Sequence, residues 1–203
     1  MKKRRRGLGC LVLILFVILV GVIVNVSRNS DPTSTGQNAG KAEVSAEELK
    51  KQGLEFDEQA WKDYLTMYET HNSFMKNMSA YSEGKISKLD FYDYCKDLEG
   101  WFAKASISFN YAKTEDERTY LSTFQTFALA DQTAAKSIIK YLDSNATKDL
   151  SNARVQIQRA TEAATTISSN RVILLSKIGV TKEESDKMLK EAVADVKALD
   201  SKK

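Results

Sequence analysis

Pro32 is the only proline in the 203-residue chain, and the 171 residues that follow it contain none. Proline deprives a helix of a donor and clashes with its preceding turn, so this stretch carries no built-in helix breaker of that kind. Its apolar spacing goes further and demands helix. Phe91, Cys95, Leu98, Phe102, Ala105 and Phe109 recur at steps of four and three, and Leu150, Ala153, Ile157, Ala160, Ala164, Ile167 and Leu174 follow the same rhythm. Residues spaced this way share one face of a helix, and each stripe needs a core to bury it. The reading is all-α.

Caps divide the stretch into elements. A short segment near Ala46–Lys51 precedes Asp57, which is placed to cap a helix reaching about Ser82, with Gly84 ending it. Ser87 with Asp90 opens a second helix to about Ala112, and Thr114 with Glu117 opens a third to about Asp143. Thr147 or Asp149 opens a fourth, which Gly179 stops; Thr181 with Glu184 starts a shorter last helix ending near Leu199. Such pairs satisfy the orphan amides of a first turn, and glycine accepts the left-handed backbone that closes a last one. Four helices of similar length with short connections predict an antiparallel, up-down-up-down four-helix bundle, with a short C-terminal amphipathic helix added. Seventeen of the eighteen aromatic residues lie between Phe56 and Tyr141, so the alanines of the fourth helix are expected to receive rings from the other three.

The N-terminal part follows different rules. From Leu8 to Val24, fourteen of seventeen residues are Leu, Ile, Val or Phe and none is charged; Lys2, Lys3, Arg4, Arg5 and Arg6 stand directly before them. Residues 8–26 are long enough to cross a bilayer, and the basic cluster predicts that the N-terminus stays in the cytoplasm. No small-x-small cleavage site follows the apolar run, and Cys10 stands near its start rather than after it as a lipid-attachment cysteine would, so an uncleaved anchor is expected. Residues 1–7 then form a cytoplasmic basic tail, 27–44 a flexible Ser-, Thr-, Asn- and Gly-rich stalk, and 45–203 an extracytoplasmic helical domain. Without the five tail charges, 25 Lys and Arg face 27 Asp and Glu, a net of −2. That removes the electrostatic case for a nucleic-acid partner.

Signatures of catalysis are missing. His71 is the only histidine, and Glu69 stands two positions before it where a carboxylate-bridged metal helix needs Glu-x-x-His. No phosphate loop, nucleophile elbow or CxxC occurs, so no catalytic residue, metal site or cofactor is expected. Cys95 lies on an apolar stripe and is expected to be a buried thiol.

One polar constellation stands out. With turns near residues 85, 114 and 145, His71 and Glu99 are each fourteen residues from the first turn, and Asp131 and Arg159 fourteen from the third. All four then share a level about 21 Å along the bundle. Asp131 interrupts the stripe Leu121, Phe124, Ala128, Ala135, Ile138, and His71 continues Tyr64, Tyr68, Met75, Met78. Either the four meet as a buried layer that fixes register or binds a small polar ligand, or Glu99 and Arg159 face solvent and only His71 and Asp131 are partly buried.

The plan of basic tail, single apolar span, polar stalk and helical domain, with segments such as LSNARVQIQRA at 150–160, resembles the membrane-anchored helical-domain proteins of Gram-positive bacteria. It is also similar in outline to the external four-helix sensor of chemotaxis receptors. The first resemblance implies a cell-membrane location. The expected function is non-enzymatic: a protein-interaction or envelope-complex module whose partner is another envelope protein or a second copy. The alternative is a ligand-binding or sensor bundle using the polar layer.

Overall fold

The computed structural model describes residues 45–201; the expected basic tail, transmembrane helix and stalk lie outside the described residues. The described residues form five α-helices and no strand: α1 Ala46–Ser82, α2 Lys88–Ser108, α3 Glu115–Ser144, α4 Thr147–Lys177 and α5 Lys182–Ser201. No helix among them is long and apolar enough to cross a membrane.

Local chemistry accounts for most of the boundaries. Ser87 with Asp90 and Thr114 with Glu117 form reciprocal capping boxes at the starts of α2 and α3. Thr181 and Glu184 exchange side-chain-to-backbone bonds of 3.3 and 2.8 Å at the start of α5. Gly84 and Gly179 adopt φ of +70° and +81°. The amides of Lys85 and Val180 reach back to the carbonyls of Ala80 and Leu175, the six-to-one closure that a left-handed glycine permits.

Three expected boundaries are corrected. Asp57 caps nothing: α1 begins at Ala46, capped by Ser45, whose hydroxyl accepts from the Glu48 amide at 3.2 Å, and runs unbroken through Gly53 and Asp57, both buried. Gly53 does not interrupt α1 because it serves packing. A Cβ there would lie 2.7–2.9 Å from the Ile178 side chain, so its bareness lets the end of α4 approach. The second helix stops at Ser108 rather than Ala112, because the chain turns to bury Phe109, whose ring meets Phe124 at 5.5 Å, and to bring the Tyr111 hydroxyl to Asp63 at 2.7 Å. Neither Thr147 nor Asp149 caps α4; Ala146 occupies that position without a side-chain bond.

The core is built around α3, which buries fourteen of its 30 residues. Its closest partners are α4 and α2. Buried alanines on both α3 (Ala128, Ala130, Ala134, Ala135) and α4 (Ala153, Ala160, Ala163) permit that approach. The small-residue surface thus belongs to two helices, where the sequence suggested one. α1 buries the bulky Trp61, Tyr64, Met67 and Phe74, and α2 buries Phe91, Cys95, Leu98 and Phe102. α5 buries only Ala192 and Val196 and touches α1 and α4.

Candidate functional site

α1 and α3 carry His71 and Asp131 on faces that are otherwise apolar, and their side chains meet inside the core. His71 Nδ1 lies 2.9 and 3.0 Å from the two Asp131 carboxylate oxygens, and the imidazole packs on Phe127 with ring centres 5.5 Å apart. Asp131 is fully buried. Burial raises its pKa, and the His71 bond and charge oppose the rise.

The other two residues of the expected layer stay out of this contact. Glu99 is half-buried and faces Lys136 at 3.7 Å, while Arg159 is exposed on α4. The four-residue layer is therefore a two-residue pair. Four residues at one level along a bundle still occupy four different angular positions, and level alone does not make them converge.

A second polar centre, absent from the sequence reading, holds α1 to α4. The Arg171 guanidinium donates from Nε and Nη2 to the two Asp57 oxygens, both at 2.8 Å. Arg171 is 5 % exposed and Asp57 1 %. The guanidinium lies 4.1 Å from the centre of the Trp61 ring, and Trp61 Nε1 donates to Asp195 of α5 at 3.0 Å. A planar fork suits both the bidentate carboxylate and the aromatic face. Arg171 Nη1 and the Tyr120 hydroxyl are buried without a protein partner, and desolvation, with the Asp57 charge adding to it, pushes the Tyr120 pKa well up. One sequence signal could have revealed Arg171: it stands four residues after Ile167 and three before Leu174, on the buried stripe itself.

A cleft of about 460 Å³ opens at one end of the domain. Leu49, Gly53 and Phe56 of α1 line it, with Tyr111 and Lys113 from the α2–α3 connection and Leu174 of α4. None of His71, Glu99, Asp131 and Arg159 does. Glu117 is engaged in capping, accepting from the Lys113 and Thr114 amides, and Lys177 pairs with Asp116 at the rim. The volume suits a small molecule, and the lining is mixed in character.

Among the described residues no group of three or more His, Cys, Asp or Glu side chains is placed to hold a metal ion. The Cys95 thiol is buried, and desolvation pushes its pKa up to about 12, far from the range of a nucleophile. Among the described residues, fold and polar centres define an all-helical domain with a buried Asp57–Arg171 ion pair, a buried His71–Asp131 contact and an end cleft. No family model, curated protein or solved structure matches the chain.

Proposed function

We propose that this chain is a non-enzymatic, single-pass membrane protein whose helical domain lies outside the cytoplasm and acts as an interaction module for another envelope protein or a second copy. The observation that carries this reading is the run of five basic residues set directly against a long uncharged apolar stretch. The likeness to membrane-anchored helical-domain proteins of Gram-positive bacteria points to the same location.

In this reading α1 to α4 run up-down-up-down as an antiparallel bundle with α5 alongside. Individual contacts support that order. Late α1 meets early α2 where Tyr81 stacks on Phe91 at 4.8 Å, and early α1 meets late α4 through Asp57 and Arg171. Asn152 near the start of α4 bonds Ser137 near the end of α3 at 2.7 Å.

Small-ligand binding is the second reading, favoured by the end cleft of about 460 Å³. His71 and Asp131 are engaged with each other and do not line it.

Protease added to intact cells or protoplasts is expected to remove the chain beyond about residue 30 and spare the anchor. Crosslinking in the native membrane, read by mass spectrometry, is expected to yield a discrete protein adduct. A domain protected from protease would overturn the topology, and a chain that crosslinks to nothing would overturn the interaction role.

A further inference from the structure

Resting on the interaction-module reading, we infer that α5 is a displaceable cover over a helix-binding groove of α1 and α4, and that the groove's other occupant is an acidic amphipathic helix of a partner protein. The attachment of α5 is unlike that of the other helices. Of its 20 residues only Ala192 and Val196 are buried, both small. Met188, Leu189, Val193 and Leu199 are only half-buried, and the directed bonds that hold α5 are polar. Glu184 accepts from Lys50 Nζ at 2.8 Å, Asp195 from Trp61 Nε1 at 3.0 Å, and Asp200 from Asn72 Nδ2 at 2.9 Å and the Tyr68 hydroxyl at 3.3 Å.

In these contacts α1 supplies only donors and α5 only carboxylates. They occur in matching order along both helices: Lys50 to Trp61 is eleven residues, and so is Glu184 to Asp195. The groove therefore reads a helix lying parallel to α1, with a carboxylate, a second one eleven positions on and a third five positions after that. Small apolar residues three before and one after the second carboxylate complete the pattern. This is helix-in-groove recognition in which each carboxylate meets a matched donor, one of them the Lys50 ammonium.

Around Trp61, whose indole bonds α5, lie side chains of the kinds found in binding hot spots. Trp61 and Tyr64 are 9 % and 4 % exposed, and Arg171, at 5 %, stacks on Trp61. Trp, Tyr and Arg are the side chains that dominate interface energetics. The connection to α4 is a short turn through Gly179, so α5 competes from high effective concentration, and a partner helix must match its pattern to displace it.

A labelled peptide of residues 181–201, which carries the three carboxylates, is the probe. It is titrated by fluorescence anisotropy against the full chain in detergent and against the full chain with Asp195→Ala and Asp200→Ala. The substitutions weaken the resident α5 and leave the groove donors intact. The peptide is expected to bind the double variant at least about tenfold more tightly than the unaltered chain. Adding Trp61→Phe, which keeps a ring and removes the donor, should reverse much of the gain. Should the double variant lose its helicity by circular dichroism, Glu184→Gln provides the same comparison at the other end of α5. Equal binding to variant and unaltered chain, or no binding to a variant that remains helical, would overturn the groove. A variant that dimerises without peptide would overturn the assigned occupant in favour of a second copy. Peptide binding by a chain that forms no crosslinks in the membrane keeps the groove and removes the module reading; crosslinking by a chain whose groove ignores the peptide does the reverse.

Discussion

Replacing Asp57 with alanine would leave the Arg171 guanidinium 5 % exposed with neither of its 2.8 Å carboxylate bonds. Trp61 would remain against its face at 4.1 Å, but a ring quadrupole offsets only about 1–2 kcal/mol of lost solvation. Removing one partner of a buried pair costs about 3–5 kcal/mol, so the loss in Asp57→Ala should fall in that range. With a urea slope of about 2 kcal/mol/M, the unfolding midpoint should fall by about 1.5–2.5 M. The second step of the experiment is the more informative. Adding Arg171→Met removes the stranded charge and refills its volume, and the double variant should recover to within about 1 kcal/mol of the parent. Coupling between the two substitutions is the quantity to extract from the four denaturation curves. A loss below about 1 kcal/mol in Asp57→Ala would mean that water reaches the pair as it reaches a surface bridge. Additive losses would mean that the two residues do not depend on each other, and either result would refute the reasoning.

Gly53→Ala should destabilise the fold by about 1–3 kcal/mol although alanine favours helix, because the new Cβ would meet Ile178 at 2.7–2.9 Å; thermal melts should show the loss reduced when Ile178→Ala is added. Burial holds the Asp131 carboxyl above its usual 3.8, so the native chain binds that proton before the unfolded chain does. Relative to Asp131→Asn, the parent should therefore gain stability as pH falls from the raised value toward 3.8 and lose it as pH rises, measured as the difference between urea midpoints across a pH series. In a Cys10→Ser background, Cys95 should resist a thiol reagent at pH about 8 until denaturant unfolds the chain, since its thiol is buried and titrates near 12. Phe102→Ala, at a site with no exposure, should cost about 3–5 kcal/mol in chemical denaturation.

Much of this fold could be read from the sequence because its signals are local. Ser87 with Asp90, Thr114 with Glu117, and Thr181 with Glu184 announce helix starts within four residues, and Gly84 and Gly179 mark ends in the same way. Asp57 misled for the complementary reason. Its side chain resembles a cap only while its neighbours are considered, and its partner stands 114 residues away in sequence. Gly53 reads as a weak point in a helix until Ile178 is brought against it. In the candidate polar layer, depth along the axis was legible and azimuth was not. Two of the four side chains meet, and the other two turn toward Lys136 and solvent. The groove under α5 depends on donors and acceptors matched across more than 120 residues, which no window of sequence contains.

α3 buries fourteen of its 30 residues, whereas α5 buries two of 20. That contrast sets how freely each part of the chain can vary over evolutionary time. Nearly every second position of α3 is hemmed in by neighbours of fixed volume, so substitutions there must come in compensating sets and accumulate slowly. α5 is bound by the placement of three carboxylates, two buried apolar residues and a few half-buried ones, and its exposed positions are open to drift. Descendants of a common ancestor would then keep a recognisable third helix while their last helices diverged in step with whatever each had to resemble.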